Sequence, residues 1–381
     1  MPKTLFFLCG EPSGETYAVQ VLREFRRRFP EVPMEGIGGL RLESEGVKLL
    51  RDYTKISVMG FTEVLSRLPT IWEALAAVKA RIRRGDVGAM VLVDFPGFNF
   101  RVGLAASKLG IPVIYYIPPQ LWAWRTGRAR TIAKFARGVV VLFPFEETLL
   151  REYGVNASFA GHPLLDELEP WFEAQPAPWQ FGLSEGKISI GLLPGSRQGE
   201  IFYHLPILLE AARILLKKYP NLQFALPVAG PALKGPIEQG VRESGLPVTL
   251  VDSERHLLFR GLAAAISVSG TATLELALMG VPSVIIYRAS WISYWIVRML
   301  VRVNWIGLPN IVAGEGFLPE LIQNDCTSER IADAVGALLE DPERLANLRT
   351  RCLSLRDRLR GSGAAKMVVD MLATEAREAW A

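Results

Sequence analysis

The stretch LLPGSRQGEI, Leu192 to Ile201, runs from an apolar segment of strand length through Pro194-Gly195-Ser196-Arg197 into a segment that opens on an acid, Glu200. Gly195 allows a tight turn after the strand, and Ser196 is a residue type suited to cap a following helix. A helix entrance offers free N–H groups and a partial positive charge, so the turn has the makings of an anion site. Arg197 adds a fixed cation with several donors, better matched to phosphate oxygens than a lysine. The lysine and spacing of a P-loop are absent, which excludes that class of nucleoside triphosphatase. Taken alone, the turn is equally an ordinary strand-to-helix connection bearing a surface arginine.

Working outward, the same strand–turn–helix alternation recurs along the chain. TLFFLC, AMVLVD, PVIYYI and GVVVLF are apolar runs of strand length, separated by helix-periodic segments such as Thr62 to Arg84 and Arg101 to Leu109. A second series begins with ISIGLLPG and continues through LQFALPV, PVTLV, AAAISVS and PSVIIY. Continuous apolar strands alternating with helices predict parallel sheets covered on both faces. Between Asp166 and Lys187 the pattern lapses into acids, prolines and isolated tryptophans, which reads as a linker. The fold class is therefore α/β, with two doubly wound Rossmann-like domains: 1–170, 171–361, and a C-terminal helical stretch 362–381 that packs back on the first domain or on a second chain.

Composition narrows the classes of function. Half of the 381 residues are hydrophobic and 22% are charged, enough to bury two cores. Cys9, Cys326 and Cys352 are too scattered for a disulfide framework or a zinc site and fit a reducing cytoplasm. The N-terminal apolar run ends at Gly10-Glu11, too short for a signal core, and the uncharged run Leu109 to Trp124 is broken by prolines. No membrane-spanning segment is expected. A net charge of +4 gives no reason to invoke nucleic acid. Tryptophan beside arginine in SWISYWIVRMLVRVNW suits the headgroup layer of an anionic bilayer, and equally a core helix with a basic edge. For Arg125 to Arg137 a solvated face is expected.

Ligands of doubly wound sheets bind beyond the carboxyl ends of the strands, so the loops there carry the function. Ser269-Gly270-Thr271-Ala272 follows a strand and enters a helix carrying Glu275, a second anion cradle in the same domain. A nucleoside diphosphate would use both cradles, with Glu275 either accepting from sugar hydroxyls or simply favouring the helix dipole. Asn310, after Pro309, either bridges ligand and backbone or serves a turn. Arg288 follows the strand PSVIIY and is placed to reach the same phosphates. No GxGxxG follows either first strand, against a dinucleotide oxidoreductase.

Nine blocks, GEPSGE, SVMGFTEVL, VLVDFPGFNF, YYIPPQLWAWR, FPFE, GHPL, LLPGSRQGEI, SGTATLELAL and LPNIVAGE, occur in the order seen in lipid-A-disaccharide synthases. The resemblance runs from about Leu5 to about Gln323 and is specific in combination. It implies an inverting glycosyltransferase of the GT-B type, whose two Rossmann-like domains face each other across a cleft. It further implies transfer from UDP-2,3-diacylglucosamine to 2,3-diacylglucosamine 1-phosphate through a β-1,6 bond, releasing UDP. The anion cradles become the nucleotide site, and the lipid acceptor belongs to the N-terminal domain and the cleft. A cytoplasmic protein bound peripherally to the inner membrane follows, with a homodimer left open. Two departures stand out: Glu15 where the family's first loop commonly ends in Asp, and Gly97 where the family often has a second acid.

An inverting transfer needs a base for the acceptor 6-hydroxyl and stabilisation of the departing UDP. Asp94, at the end of AMVLVD, is the candidate base, or else a cap for the next helix. His162 is the second candidate, because an imidazole titrates near neutrality, or else a structural histidine. Glu15 is grouped with them; Glu11, Ser13 and Gly14 are expected to contact sugar or position the base, or to form a helix cap. No acid pair follows a strand to hold a magnesium diphosphate, so no metal and no cofactor is expected, and Arg197 and Arg288 meet the leaving charge. Phe61, Val64, Leu65, Leu68, Ile71, Trp72 and Leu75, with Leu121, Trp122 and Trp124, form either an acyl-chain surface or core. The alternatives are another UDP-sugar enzyme of this architecture, such as an epimerase, and a non-catalytic membrane-associated UDP-sugar binder.

Overall fold

The computed structural model describes residues 2–53, 61–124, 126–175, 178–289 and 304–380. Contacts divide the chain into two compact units, Met1–Pro163 with Leu359–Ala381, and Leu164–Arg358. The first holds a seven-stranded parallel sheet of β1 (Thr4–Cys9), β2 (Met34–Gly38), β3 (Lys48–Asp52), β4 (Val87–Val93), β5 (Val113–Tyr116), β6 (Gly138–Val141) and β7 (Ala157–Phe159), in the order β3-β2-β1-β4-β5-β6-β7. The second holds six parallel strands, β8 (Ile188–Leu193), β9 (Leu222–Pro227), β10 (Val248–Val251), β11 (Ala264–Val268), β12 (Ser283–Tyr287) and β13 (Glu320–Ile322), in the order β10-β9-β8-β11-β12-β13. In each sheet the order reverses beside the first strand, at β1/β4 and at β8/β11. Those are the switch points where such sheets bind ligands.

Every residue of β1 and β4 is buried, because helices cover both faces. Phe6, Leu8, Met90, Leu92 and Tyr115 face one side, against Leu75 and Val78 of α3 (Phe61–Ile82) and Phe98 and Val102 of α4 (Pro96–Lys108). Their neighbours Leu5, Phe7, Ala89, Val91 and Tyr116 face the other, against Val21, Leu22 and Phe25 of α1 (Pro12–Arg28). Val368, Val369 and Leu372 of the Ala364–Glu375 helix complete that second layer. Trp380 closes it, its ring against Phe25 and Phe29 and its Nε1 donating to Lys3 O at 3.0 Å.

Structure and sequence reading part at the expected linker. Residues Pro163–Phe172 form a helix rather than a linker, and the units divide at Pro163. Packing decides this: Trp171 lies against His256, and the Arg356 guanidinium sits over the Phe172 ring at 3.6 Å, both in the second unit. Likewise α4 starts at Pro96, where the fixed φ of proline suits a first helical turn.

Candidate active site

In the second unit the register Leu193↔Ser267 brings the turns after β8 and β11 off the sheet together. Gly195 has φ 112°, and a Cβ there would meet Glu200 Oε2 at 2.4 Å. The helix that follows, Gln198–Lys218, has Arg197 rather than Ser196 at its N-cap. Glu200 does the capping expected of Ser196, its Oε2 accepting from the N–H groups of Ser196 (2.8 Å) and Arg197 (3.2 Å). Opposite, Gly270 caps the Thr271–Leu278 helix, while Ser269 Oγ donates to Ile306 O at 2.7 Å. Gly195, Ser196, Arg197, Ser269, Gly270, Thr271, Ala272 and Glu275 line one cavity of about 280 Å³. The two cradles are thus one site.

Three features of this site escaped the sequence reading. Glu275 is buried, with Arg255 Nη2 donating to its Oε1 at 3.1 Å and His256 Nε2 3.2 Å from its Oε2. Arg255 also lines the cavity, so Glu275 already carries an arginine partner at the place assigned to sugar hydroxyls. The signal was available, since Ser253-Glu254-Arg255-His256 follows β10 at its carboxyl end. His204 is the third. Its Nδ1 lies 2.7 Å from Glu200 O and its Nε2 accepts from Arg288 N–H at 2.8 Å, which fixes a neutral imidazole protonated at Nδ1. Burial holds its pKa below the usual range. His204 therefore ties Arg288 to the Arg197 helix, although Arg288 is not among the cavity's lining residues.

Asn310 does not bridge a ligand. It is 0% exposed; its Nδ2 donates to Leu318 O and Glu320 Oε1, and its Oδ1 accepts from Phe317 and Leu318 N–H. Every hydrogen-bonding position of the amide is spent holding its own loop.

In the first unit, Glu15 is corrected in the same way. It is 3% exposed, and its Oε1 accepts from the N–H groups of Gly39 (2.8 Å) and Leu42 (3.1 Å) at the start of α2 (Leu40–Ser44). Tyr53 OH donates to Oε2 at 3.3 Å. The carboxylate caps a helix that has no cap of its own, and it is not a reacting group. Glu15→Gln should therefore lower Tm, by the loss of charged hydrogen bonds worth about 1.5–3 kcal/mol, and leave UDP affinity unchanged; thermal melts beside calorimetry check this. A variant as stable as wild type would refute the assignment.

His162 is also buried, with its ring packed by Tyr17 and Phe143 and its backbone N–H donating to Leu359 O at 2.9 Å. Burial drives its pKa down to about 3, so the ring stays neutral near pH 7 and does not titrate there as an ordinary imidazole would.

Asp94 is different. It follows β4 at the switch point and is partly exposed, with φ 47°. Burial first, and then the nearby second acid Glu11, raise its pKa to about 9. Glu11 and Asp94 are brought together; Gly14 is buried beside them, and the side chain of Ser13 lies outside the described residues. Among the described residues no group of three or more His, Cys, Asp or Glu is placed to hold a metal ion.

Of the apolar stripe, Leu75 and Leu121 are core, and Trp122 is anchored, its Nε1 donating to Glu146 Oε1 at 2.9 Å. Trp72 is 56% exposed with the Arg101 guanidinium over its ring. The side chains of 61–68 and of Trp124 lie outside the described residues, as do Arg125 and 290–303 of the tryptophan–arginine run. No helix among the described residues is long and apolar enough to cross a membrane.

Residues 5–368 match the family described as lipid-A-disaccharide synthetase. The chain belongs to that family. It is 39% identical over 368 residues to the lipid-A-disaccharide synthase of Geobacter sulfurreducens, covering 97% of this chain and 96% of the relative. It is 40% identical over 373 residues to that of Syntrophus aciditrophicus, covering 98% and 97%. Among solved structures, UDP-GlcNAc 2-epimerase from Neisseria meningitidis bound to UDP-GlcNAc superimposes with a TM-score of 0.66 at 15% identity, over 97% of this chain and 100% of the epimerase. That likeness concerns the fold, two Rossmann-like units of the GT-B class. As a lipid-A-disaccharide synthetase family member the chain is a glycosyltransferase of lipid A biosynthesis.

Proposed function

We propose that the chain transfers 2,3-diacylglucosamine from UDP-2,3-diacylglucosamine to the 6-hydroxyl of 2,3-diacylglucosamine 1-phosphate, forming the β-1,6-linked disaccharide 1-phosphate and UDP. The observation that carries this reading is the cavity in which Arg197, Thr271 and two helix entrances converge at a switch point, a cradle for the diphosphate of a nucleotide sugar. At the other switch point, beyond the carboxyl end of β4, stands an acid, Asp94, which supports its reading as the base for the acceptor. Arg197 and the helix N–H groups stabilise the charge that develops on the departing UDP, the part of the barrier where fixed donors act most strongly. Because these groups are organic cations and dipoles, the transfer runs without a divalent metal. The chain works at the cytoplasmic face of the inner membrane as a peripheral protein, with exposed Trp72 and Arg101 at its lipid-facing surface. Binding to anionic vesicles that weakens with added salt tests that part.

The reaction is tested by supplying both lipids in detergent and following UDP and disaccharide together, with and without excess EDTA. Equal amounts of both products, unchanged by EDTA, are expected. UDP binding without disaccharide would refute the transfer, and activity lost in EDTA and restored by magnesium would refute metal independence.

A further inference from the structure

Lys79 and Arg83 on α3, with Arg101 and Lys108 on α4, line a groove of about 370 Å³ between the two helices. The rest of its lining is apolar: Ile82, Leu104, Ala105 and Leu109. Helical spacing produces this pairing of rows. Lys79 and Arg83 lie one turn apart on one face of α3, and Arg101, Ala105 and Lys108 share one face of α4. Trp72, two turns before Lys79, continues the α3 row, and the Arg101 guanidinium reaches across from α4 to sit over its ring at 5.4 Å. Trp72 and Leu109 are both exposed. Arg81 belongs to the other face, turned inward and buried, where Glu35 and Asp86 hold it.

The four charges are not neutralised by the protein. α4 contains no Asp or Glu, and no acid lines the groove. Among the described residues none of the four cations pairs with a carboxylate; Asp86 is taken by Arg81, and Glu73 by Arg51. A cation in the last turn of a helix is favoured by the dipole, which accounts for Lys79 and Lys108. That does not account for Arg101, in the first half of α4, or for the apolar lining between the two rows. Like charges around one groove repel, and an anion held between them relieves the repulsion.

We propose that this groove holds the headgroup phosphates of anionic phospholipids, and that the first unit lies on the leaflet by its α3–α4 layer. This rests on the peripheral-membrane part of the reading above. Arg83 and Arg101 offer forked donors to phosphate oxygens, while Lys79 and Lys108 supply point charges on apolar stems that run along the groove. Trp72 takes the headgroup level, where an indole has one wet and one apolar side, and Leu109 meets the acyl boundary. An acidic protein segment would be served by the charges alone and gives no use to these two exposed apolar side chains. The groove is also apart from the nucleotide and acceptor loops. α3 ends shortly before β4 begins at Val87, and α4 shortly before β5 begins at Val113, so Arg83 and Lys108 lie toward the amino ends of those strands, whereas the switch point is at the carboxyl ends. Attachment and chemistry are therefore separable by mutation.

The test is flotation with phosphatidylcholine vesicles, with and without phosphatidylglycerol, beside turnover of the two lipid substrates in detergent. Wild type should bind only the vesicles that contain phosphatidylglycerol, less as salt is added. The triple variant Lys79→Gln, Arg83→Gln, Lys108→Gln should lose about 10²-fold in that binding, show a flatter salt dependence, and keep the melting temperature and detergent turnover of wild type. A control triple, Arg26→Gln, Arg27→Gln, Lys48→Gln, removes the same charge from α1 and β3 and should stay within about threefold of wild type. A groove triple that floats like wild type removes the groove and leaves the peripheral reading standing. Equal losses in the two triples overturn the groove in favour of net charge, and lost detergent turnover in the groove triple overturns it by placing those residues in the reaction. Wild type that binds neither vesicle refutes the peripheral reading and the lipid with it, and wild type that binds polyglutamate in preference to the vesicles makes the groove a protein contact instead.

Discussion

Asp94→Asn is expected to lower disaccharide formation by about 10²–10⁴-fold, to leave UDP affinity as it was, and to raise Tm at neutral and alkaline pH. The first effect is loss of the proton-handling group at the β1/β4 switch point. The last follows from linkage. The folded-state pKa of Asp94, about 9, lies above the ordinary value near 4, so the folded chain binds more protons than the unfolded chain between those limits. The favourable contribution is complete below about pH 4 and is progressively lost as pH rises through about 9. Asn has no proton to lose, so its advantage appears above about pH 4 and grows into the alkaline range. Each kcal/mol recovered should show as roughly 2–4 °C in Tm for a unit of this size. Melts at pH 5, 7 and 9 decide the point, and a variant that gains nothing at pH 9 would show that Asp94 is ionised in the native protein.

Arg197→Ala should weaken UDP binding by roughly 10–100-fold and kcat/KM by about 10²–10³-fold. The Arg197 side chain is 62% exposed, and Glu200 holds it with a contact of 3.2 Å. An exposed pair of that kind adds little to stability, so the variant should melt with wild type. On the proposed reading, bound diphosphate would offer the guanidinium two charge-assisted bonds in place of one weak one, and the departing UDP would draw on them more strongly still. Arg197→Lys keeps the charge and loses the planar fork, and should fall between the two. Calorimetry that finds UDP bound equally well by wild type and Arg197→Ala would remove Arg197 from the site.

The strands and the two switch-point turns were legible because they rest on local properties. Runs such as TLFFLC are apolar at every position since both sheet faces are covered, and glycine, serine and arginine after β8 mark an exposed helix entrance. Glu15 and Asn310 were misjudged for a different reason. Each is a polar residue beside a motif, and sequence does not disclose whether such a side chain turns toward solvent or inward to an uncapped helix or loop. His162 shows the same limit, since its ordinary titration range is cancelled by burial among Tyr17, Phe143 and the returning chain near Leu359. The nearness of Glu11 to Asp94 was out of reach because it depends on register between β1 and β4, which only the assembled sheet defines. Arg255 and His256 could have been found, as they satisfy the same rule of position that identified Ser269 and Arg197.

The return of the last residues to the first sheet sets an order of events during synthesis. Leu164–Arg358 is one uninterrupted piece and can complete its core while the ribosome is still translating. Met1–Pro163 is made earlier but keeps the outer face of β5 and β6 without the Ala364–Glu375 helix until that later segment has been made. The half that is born first is thus the half finished last, reversing the usual order in which domains mature from the N-terminus. A chain cut before Ala364 would carry a completed second unit and an unsealed first one, a natural target for proteolytic clearance.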